Sequence, residues 1–257
     1  MMLAKMRCAR RVGVALVSVF VVCFVQLIAA SIAMDDHIQE HEVVSKPVAG
    51  LGRKVQLRIG DKIIGERQYY DNGNVYRESR VENGALNGAQ RMWHRNGSLW
   101  QERVYKDGVM DGEVRSWDQD RQLVGTSTMR AGTGVLRNYD AGGKLQSECP
   151  YSGGKKHGVH RQWYGETGTL LGDAMYSNGV NDGWSRFYYP NGVLLEEGMF
   201  QDGKMHGVFR EWNDNGVIKA EFPKYYVHGE EVSKSQLEKL AASDVDIRRS
   251  LKVQASE

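Results

Sequence analysis

The sequence predicts an all-β protein: an elongated, single-layer antiparallel meander of about seven β-hairpin repeats. A short C-terminal α-helical cap and an N-terminal hydrophobic helix flank it. Three observations predict this. Glycine is abundant, 30 of 257 residues, and proline is rare at four, so the glycines are neither collagen-like nor linker-like. They recur at a period of about 24 residues. Between them, short segments alternate at the two-residue period of a strand.

The elements follow in chain order. Residues 1–33 carry Lys5, Arg7, Arg10 and Arg11, no acid, and an apolar run from Val12 to Ala30. A cationic lead, an apolar stretch and small residues at Ser31 and Ala33 describe a signal peptide. The run is also long enough to span a bilayer uncleaved, and both readings stand. In either, the body is exported across the cytoplasmic membrane, to lie periplasmic or extracellular or to stay anchored by this segment. The leader holds four of the 34 Lys and Arg, leaving 30 against 32 acids in the remainder. A body that is neutral to slightly acidic is not built to coat nucleic acid.

Residues 34–50, which include "DDHIQEHEVVSKPVAG", are polar without a period and read as a linker. Residues 51–64, with Val55, Leu57, Ile59, the Gly60-Asp61 pair, Ile63 and Ile64, read as a hairpin capping the first edge. Residues 65–226 are the repeat array. A first glycine column holds Gly73, Gly97, Gly143, Gly168, Gly192 and Gly216, with Arg121 in the remaining place. A second holds Gly84, Gly108, Gly132, Gly154, Gly179 and Gly203, and a third Gly88, Gly112, Gly134, Gly158, Gly183 and Gly207. Asn or Asp usually precedes the first two columns, the chemistry of hairpin turns with φ > 0.

Five residues after the third column comes an aromatic: Trp93, Trp117, Tyr139, Trp163, Tyr188 and Trp212, with Tyr69 in the first unit. Two residues before each stands an arginine: Arg67, Arg91, Arg115, Arg137, Arg161, Arg186 and Arg210. Aliphatics such as Leu99 and Leu194 follow the first turn, and then acids: Glu78, Glu102, Glu148, Asp173, Glu197 and Glu221. A two-residue loop puts the arginine opposite the acid, and a three-residue loop with a bulge puts the aromatic opposite the aliphatic. Spacing alone leaves these two registers open. Around 118–134 the pattern breaks: Asp120-Arg121 makes the turn, Thr126 replaces the acid, and the Gly132-Thr133-Gly134 loop is two residues short. A bulge or bend is expected there. Residues 227–257 form the C-terminal cap or tail, with Ser233 and Gln236 as a capping box and Ser243 with Asp246 opening a second helix.

Strings such as "YYPNGVLLEEGMFQDGKMHG" (188–207) and "MWHRNGSLWQERVYKDGVMDG" (92–112) resemble MORN repeats, in their bacterial variant. The resemblance implies a β-hairpin array used for binding. It further implies two roles found among such proteins, an antitoxin-like inhibitor of the YwqK type and contact with a lipid surface.

Catalytic chemistry finds no foothold. His37 and His41 lie in the expected linker, and His157 and His206, before third-column glycines, read as turn residues at φ > 0. "GGKKHG" (153–158) lacks the spacing of a phosphate loop, and no nucleophile elbow or zinc-protease motif occurs. The acid column, matched to arginines, reads as ion pairs, and Cys149 as a small strand residue. The expectation is a non-catalytic scaffold with no cofactor and no metal, binding a partner protein or envelope component. The N-terminal segment adds membrane contact if uncleaved, and the sheet edges offer self-association. The candidate binding residues are the rings Trp93, Trp100, Trp117, Trp163, Trp184 and Trp212 with Arg91, Arg115, Arg161, Arg186 and Arg210. As core, the ring column fills one face of the sheet; as a surface, it grips a ligand. Tyr76, Trp100 and Trp184 fall outside the column and suit an exposed contact better.

Overall fold

The computed structural model describes residues 38–43 and 48–252; the leader and its hydrophobic segment, with His37, lie outside them. One open meander runs through strands β1 (Gln39–Val43), β2 (Leu51–Ile59), β3 (Lys62–Tyr70), β4 (Val75–Glu82), β5 (Ala85–Trp93) and β6 (Leu99–Lys106). It continues through β7 (Val109–Met110), β8 (Gly112–Trp117), β9 (Leu123–Arg130), β10 (Thr133–Tyr139), β11 (Leu145–Ser152), β12 (Lys155–Lys156) and β13 (Gly158–Trp163). The last strands are β14 (Leu170–Ser177), β15 (Val180–Tyr188), β16 (Leu194–Gln201), β17 (Lys204–Met205), β18 (Gly207–Glu211), β19 (Lys224–Val227) and β20 (Glu230–Glu231). Helices α1 (Lys234–Leu240) and α2 (Val245–Lys252) follow.

Each strand pairs antiparallel with the next. β7, β12 and β17 are the first stubs of β8, β13 and β18.

The linker expectation fails at Gln39–Val43, which pair with β2 from Gln39↔Arg58 to Val43↔Lys54. The edge of β2 offers unpaired backbone groups, and a charged strand covers it. Glu40 fixes that strand: it accepts from Tyr69 Oη at 2.6 Å and from Arg67 at 2.7 Å.

The second-column turns behave as two-residue loops with both residues left-handed, as at Asp107 (φ 48) and Gly108 (φ 86) between paired Lys106 and Val109. In the first column only the glycine, or Arg121 in its place, is left-handed. The preceding Asn instead accepts a backbone N–H two residues on, Asn96 Oδ1 from Ser98 N at 2.9 Å.

The two registers left open by spacing coexist. Arg91 lies opposite Glu102 and Trp93 opposite Leu99, because Trp100 is an extra residue bulged between Leu99 and Gln101. The same bulge recurs at Tyr76, Val124, Gln146, Leu171 and Leu195. The third column marks a second irregularity, where Asn87-Gly88-Ala89 stand opposite the single residue Arg80. His157 and His206 sit in this extended stretch and not at φ > 0, correcting their reading as left-handed turn residues; the positive angles belong to Gly158 (φ 105) and Gly207 (φ 113). Among the described residues, the histidine that does sit in a left-handed turn is His228 (φ 48).

Alternation gives the sheet two faces. One carries the arginine, acid and aromatic columns. The other carries the residues between them, such as Gln90, Met92, Gln101 and Arg103 in β5 and β6. Apolar packing is divided into three small clusters: Val55, Leu57 and Tyr69 at the start; Met110, Val114, Met129 and Leu136 in the middle; Val208, Leu237 and Ile247 under the helices. At the C-terminal end the seventh unit departs from the pattern. Trp212 bridges Ile218, the chain turns at Lys219–Phe222, and β19 resumes pairing with β18. Glu221 therefore leaves the acid column.

The helices seal this end. The Ser233–Gln236 capping box is present, whereas α2 is capped by Asp244 and not by Ser243: Asp244 Oδ1 accepts from Asp246 N and Ile247 N at 2.9 and 3.1 Å. Asp244 Oδ2 also meets Nε2 of buried His206 at 3.0 Å. Burial pushes the Asp244 carboxyl upward, but the Ile247 N–H, His206 and the Asp246 N–H outweigh it and hold it below its ordinary value.

Candidate binding cleft

Between regular units a side chain just past the aromatic column reaches the next repeat. Tyr70 Oη donates to the Trp93 carbonyl at 2.7 Å, Tyr164 Oη to Tyr188 at 2.8 Å, and Tyr189 Oη to Trp212 at 3.0 Å. His94 Nε2 lies 3.0 Å from the Trp117 carbonyl. A carbonyl only accepts, so this nitrogen carries the proton. Burial, then neighbouring Tyr76, raises the Tyr70 hydroxyl above its ordinary value and keeps it a donor.

In the two units that follow, the equivalent residues are Asp118 and Asp140. Each turns its carboxylate onto its own hairpin: Asp118 Oδ1 accepts from Asp120 N and Gln122 N, and Asp140 Oδ1 from Gly142 N and Lys144 N. Neither ties its unit to the next.

The sheet bends at this point. The shortened loop at 132–134 lacks the three-for-one bulge of other units, and the β9–β10 ladder ends after Thr133↔Arg130 and Gly134↔Met129. Beyond it the strands part, while the turn tips stay joined by Gln119 N donating to the Ala141 carbonyl at 3.0 Å. The Tyr139 ring fills the opening over Gly125, where any Cβ would collide with it. Three strand spacings separate β6 from β10, about 14 Å in a flat sheet. Yet Trp100 Nε1 donates to the Tyr139 carbonyl at 3.1 Å, and Arg103 Nη2 donates to Asn138 Oδ1 at 3.2 Å. The array therefore folds back on the face opposite its ion pairs. Met129 (1% exposed), Val114, Leu136 and Met110 pack inside the fold, beside a polar layer in which Gln101 (0% exposed) donates to Ser116 Oγ at 2.9 Å. Of the bulge or bend expected at 118–134, the structure shows a bend.

The fold-back leaves an open cleft of about 680 Å³ between β4–β6 and β10–β14, within the usual ~300–1,000 Å³ of ligand sites. The bulge column turns into it: Tyr76, Trp100, Gln146 and Leu171 all line it. Arg77 and Arg103 add two guanidinium groups, and Asn138, Ser147 and Gln162 add polar groups. Its lining contains no carboxylate, histidine or cysteine. Cys149 is buried on the β11 strand opposite Leu136, and burial pushes its thiol up.

The sequence-derived candidates divide. Trp100 and Trp163 line the cleft. Trp93, Trp117 and Trp184 are half-buried outside its lining, and Trp212 is buried at 7% exposure. The arginines form a ladder on the other face. Arg91 meets Glu102 at 2.7 Å, Arg186 meets Asp173 at 2.7 Å, and buried Arg210 meets Glu197 at 2.8 Å. Arg161 lies 3.7 Å from Glu148, and Arg115, facing Thr126, takes Glu113 of its own strand at 2.6 Å. The ring column fills neither a full core nor a groove, since most of its rings are half-buried on this ion-paired face. Sequence reasoning missed Arg77, Arg103 and Tyr164. Their signal was available, as Arg77 and Arg103 are arginines outside the column with no acid in register. Among the described residues, no group of three His, Cys, Asp or Glu is placed to hold a metal.

Comparison with curated proteins returns no match. A family model described as "MORN repeat variant" matches residues 86–107, 133–152, 182–202 and 205–223. The first three matches each frame one hairpin, β5–β6, β10–β11 and β15–β16, and the last spans β17–β18 and the turn after them. The units between them keep the same turn columns and cross-strand register. Over those four stretches the chain matches the MORN repeat variant.

Proposed function

We propose that this protein is a non-catalytic interaction module, displayed outside the cytoplasm by its N-terminal segment, that holds a partner in the cleft of its bent array. The observation that carries this reading is the cleft itself. The array turns its bulged aromatics and two guanidinium groups inward, where the chain leaves room between them. The lining supplies donors and stacking surfaces but no nucleophile–base pair, which supports binding over chemistry.

A photo-crosslinking residue placed at position 100 of the full chain, in cells that express it, is expected to capture a discrete partner. The same residue at position 91, on the ion-paired face, is expected to capture none. Equal adducts from both positions, or none from position 100, would overturn the reading. Fractionation with intact-mass measurement tests the location; recovery of uncleaved chain in the soluble cytoplasm would contradict it.

A further inference from the structure

We infer that the cleft takes an extended acidic peptide segment of a partner protein, its carboxylates held by Arg77 and Arg103 and its backbone laid against Trp100. This rests on the cleft being the binding surface and specifies what enters it.

Charge is the first ground. On the opposite face arginines are neutralised in place: Arg67 by Glu78, Arg91 by Glu102, Arg137 by Glu148, Arg186 by Asp173 and Arg210 by Glu197. Arg77 and Arg103 have no carboxylate within ion-pair distance among the described residues, and no acid lines the cleft. Arg103 is held but not neutralised. Its Nε donates to Gln101 Oε1 at 2.6 Å and its Nη2 to Asn138 Oδ1 at 3.2 Å. Five donors on a guanidinium leave it capacity for a carboxylate. Asp140 stands near the rim with its Oδ2 beside Gly165, while its Oδ1 accepts from two backbone N–H groups of its own turn; it is not part of the lining.

Geometry is the second ground. Arg77 lies opposite Met92, and Met92 opposite Gln101, two residues before Arg103. The two arginines thus share a face, two strand spacings and two residues apart, about 12 Å between Cα atoms by strand dimensions. Carboxylates two to four residues apart on an extended chain span about 7–13 Å and meet both. The half-buried indole of Trp100 and the amides of Gln146 and Gln162 line the same space, suited to peptide groups.

The lining also disfavours the other macromolecular ligands. A neutral glycan, whose hydroxyls both donate and accept, brings no counter-charge to the two guanidinium groups. A bilayer is flat, whereas these arginines stand in a concavity.

The test uses the full chain in detergent and fluorescein-labelled hexaglutamate, read by anisotropy. Hexaglutamate is expected to bind and hexalysine not to, with affinity falling as salt rises. Arg77→Gln and Arg103→Gln together are expected to weaken binding at least about tenfold, and Arg91→Gln to leave it unchanged. The Arg77 side chain makes no hydrogen bond to the scaffold among the described residues, so Arg77→Gln alone keeps the test valid if Arg103→Gln disturbs the bend. Binding of hexalysine as tight as hexaglutamate, or an equal loss in Arg91→Gln, would overturn the inference. So would arginine-dependent binding of chitohexaose or anionic vesicles in place of hexaglutamate. If position 100 still crosslinks a partner while hexaglutamate fails, the acidic ligand falls and the binding module stands. If position 100 crosslinks nothing, the module itself falls.

Discussion

The regular units and the two units around the bend share one strand pattern and differ in how they are tied together. In the regular units a tyrosine or histidine reaches 23 or 24 residues ahead to a backbone carbonyl, as Tyr70 does to Trp93 and Tyr164 to Tyr188. In the bent pair, Asp118 and Asp140 are too short for that reach and cap their own turns. The same position thus either locks neighbours flat or frees them to rotate. A repeat array acquires a binding cleft by relaxing two ties and shortening one loop, without any new element. The bend then needs its own support, which is the Met129 cluster and the Trp100–Tyr139 contact.

The largest expected effect breaks that support. Met129→Ala empties a fully buried site at the fold-back, at a cost of about 2–5 kcal/mol. The equivalent truncation in the flat part, Leu194→Ala, removes a half-buried side chain and is expected to cost less. Denaturant midpoints of the two variants check this, and equal losses would mean that the bend has no special core. Gly125→Ala comes next. The added methyl collides with the Tyr139 ring, and overpacking of this kind costs about 1–3 kcal/mol. Combining it with Tyr139→Ala should recover part of the loss if the collision is the cause. Strict additivity in the double variant would refute it.

Local chemistry made the regular part legible, and long-range contact hid the rest. Asn-Gly and Asp-Gly columns specify turns within four residues, so strand order could be read from spacing. The register stayed open between two pairings, because spacing does not mark the bulge at Trp100 that reconciles them. The pairing of Arg91 with Glu102 was one of those two, and the bulge lets it stand beside the other, Trp93 opposite Leu99. The site of the bend was also visible, in Arg121 and the short 132–134 loop. Its direction was not, because it depends on Trp100 meeting Tyr139, 39 residues away. Strand β1 was invisible for a different reason. Gln39–Val43 have no apolar alternation, and only the open edge of β2 and the reach of Glu40 to Arg67 and Tyr69 make them a strand. The histidines were misread because Asn or Asp before a glycine signals a left-handed residue in the second column but an extended bulge before the third.

Removing one tie from the flat part should have a smaller effect. Tyr189→Phe deletes the 3.0 Å donation to the Trp212 carbonyl, worth about 0.5–1.5 kcal/mol net. Hexaglutamate binding should not change, because the tie lies outside the cleft. A loss of binding in this variant would show that the flat units and the bend are mechanically coupled, erasing the distinction between them.

The smallest expected effect has the opposite sign. Arg121 occupies the first-column glycine position at φ 64, a left-handed conformation that costs a residue with a Cβ about 1–2 kcal/mol. Glycine relieves that strain, but it also loses more chain entropy on folding, about 0.5–1 kcal/mol. Arg121→Gly should therefore stabilise the protein by about 0–1.5 kcal/mol. The bend should survive, because its causes are the loop at 132–134, the paired aspartates and the Met129 cluster. A raised midpoint with hexaglutamate affinity unchanged is the expected result. If affinity falls instead, the strained turn is itself part of what parts the strands, and the irregular unit would owe its shape to three departures from the repeat, with Arg121 among them.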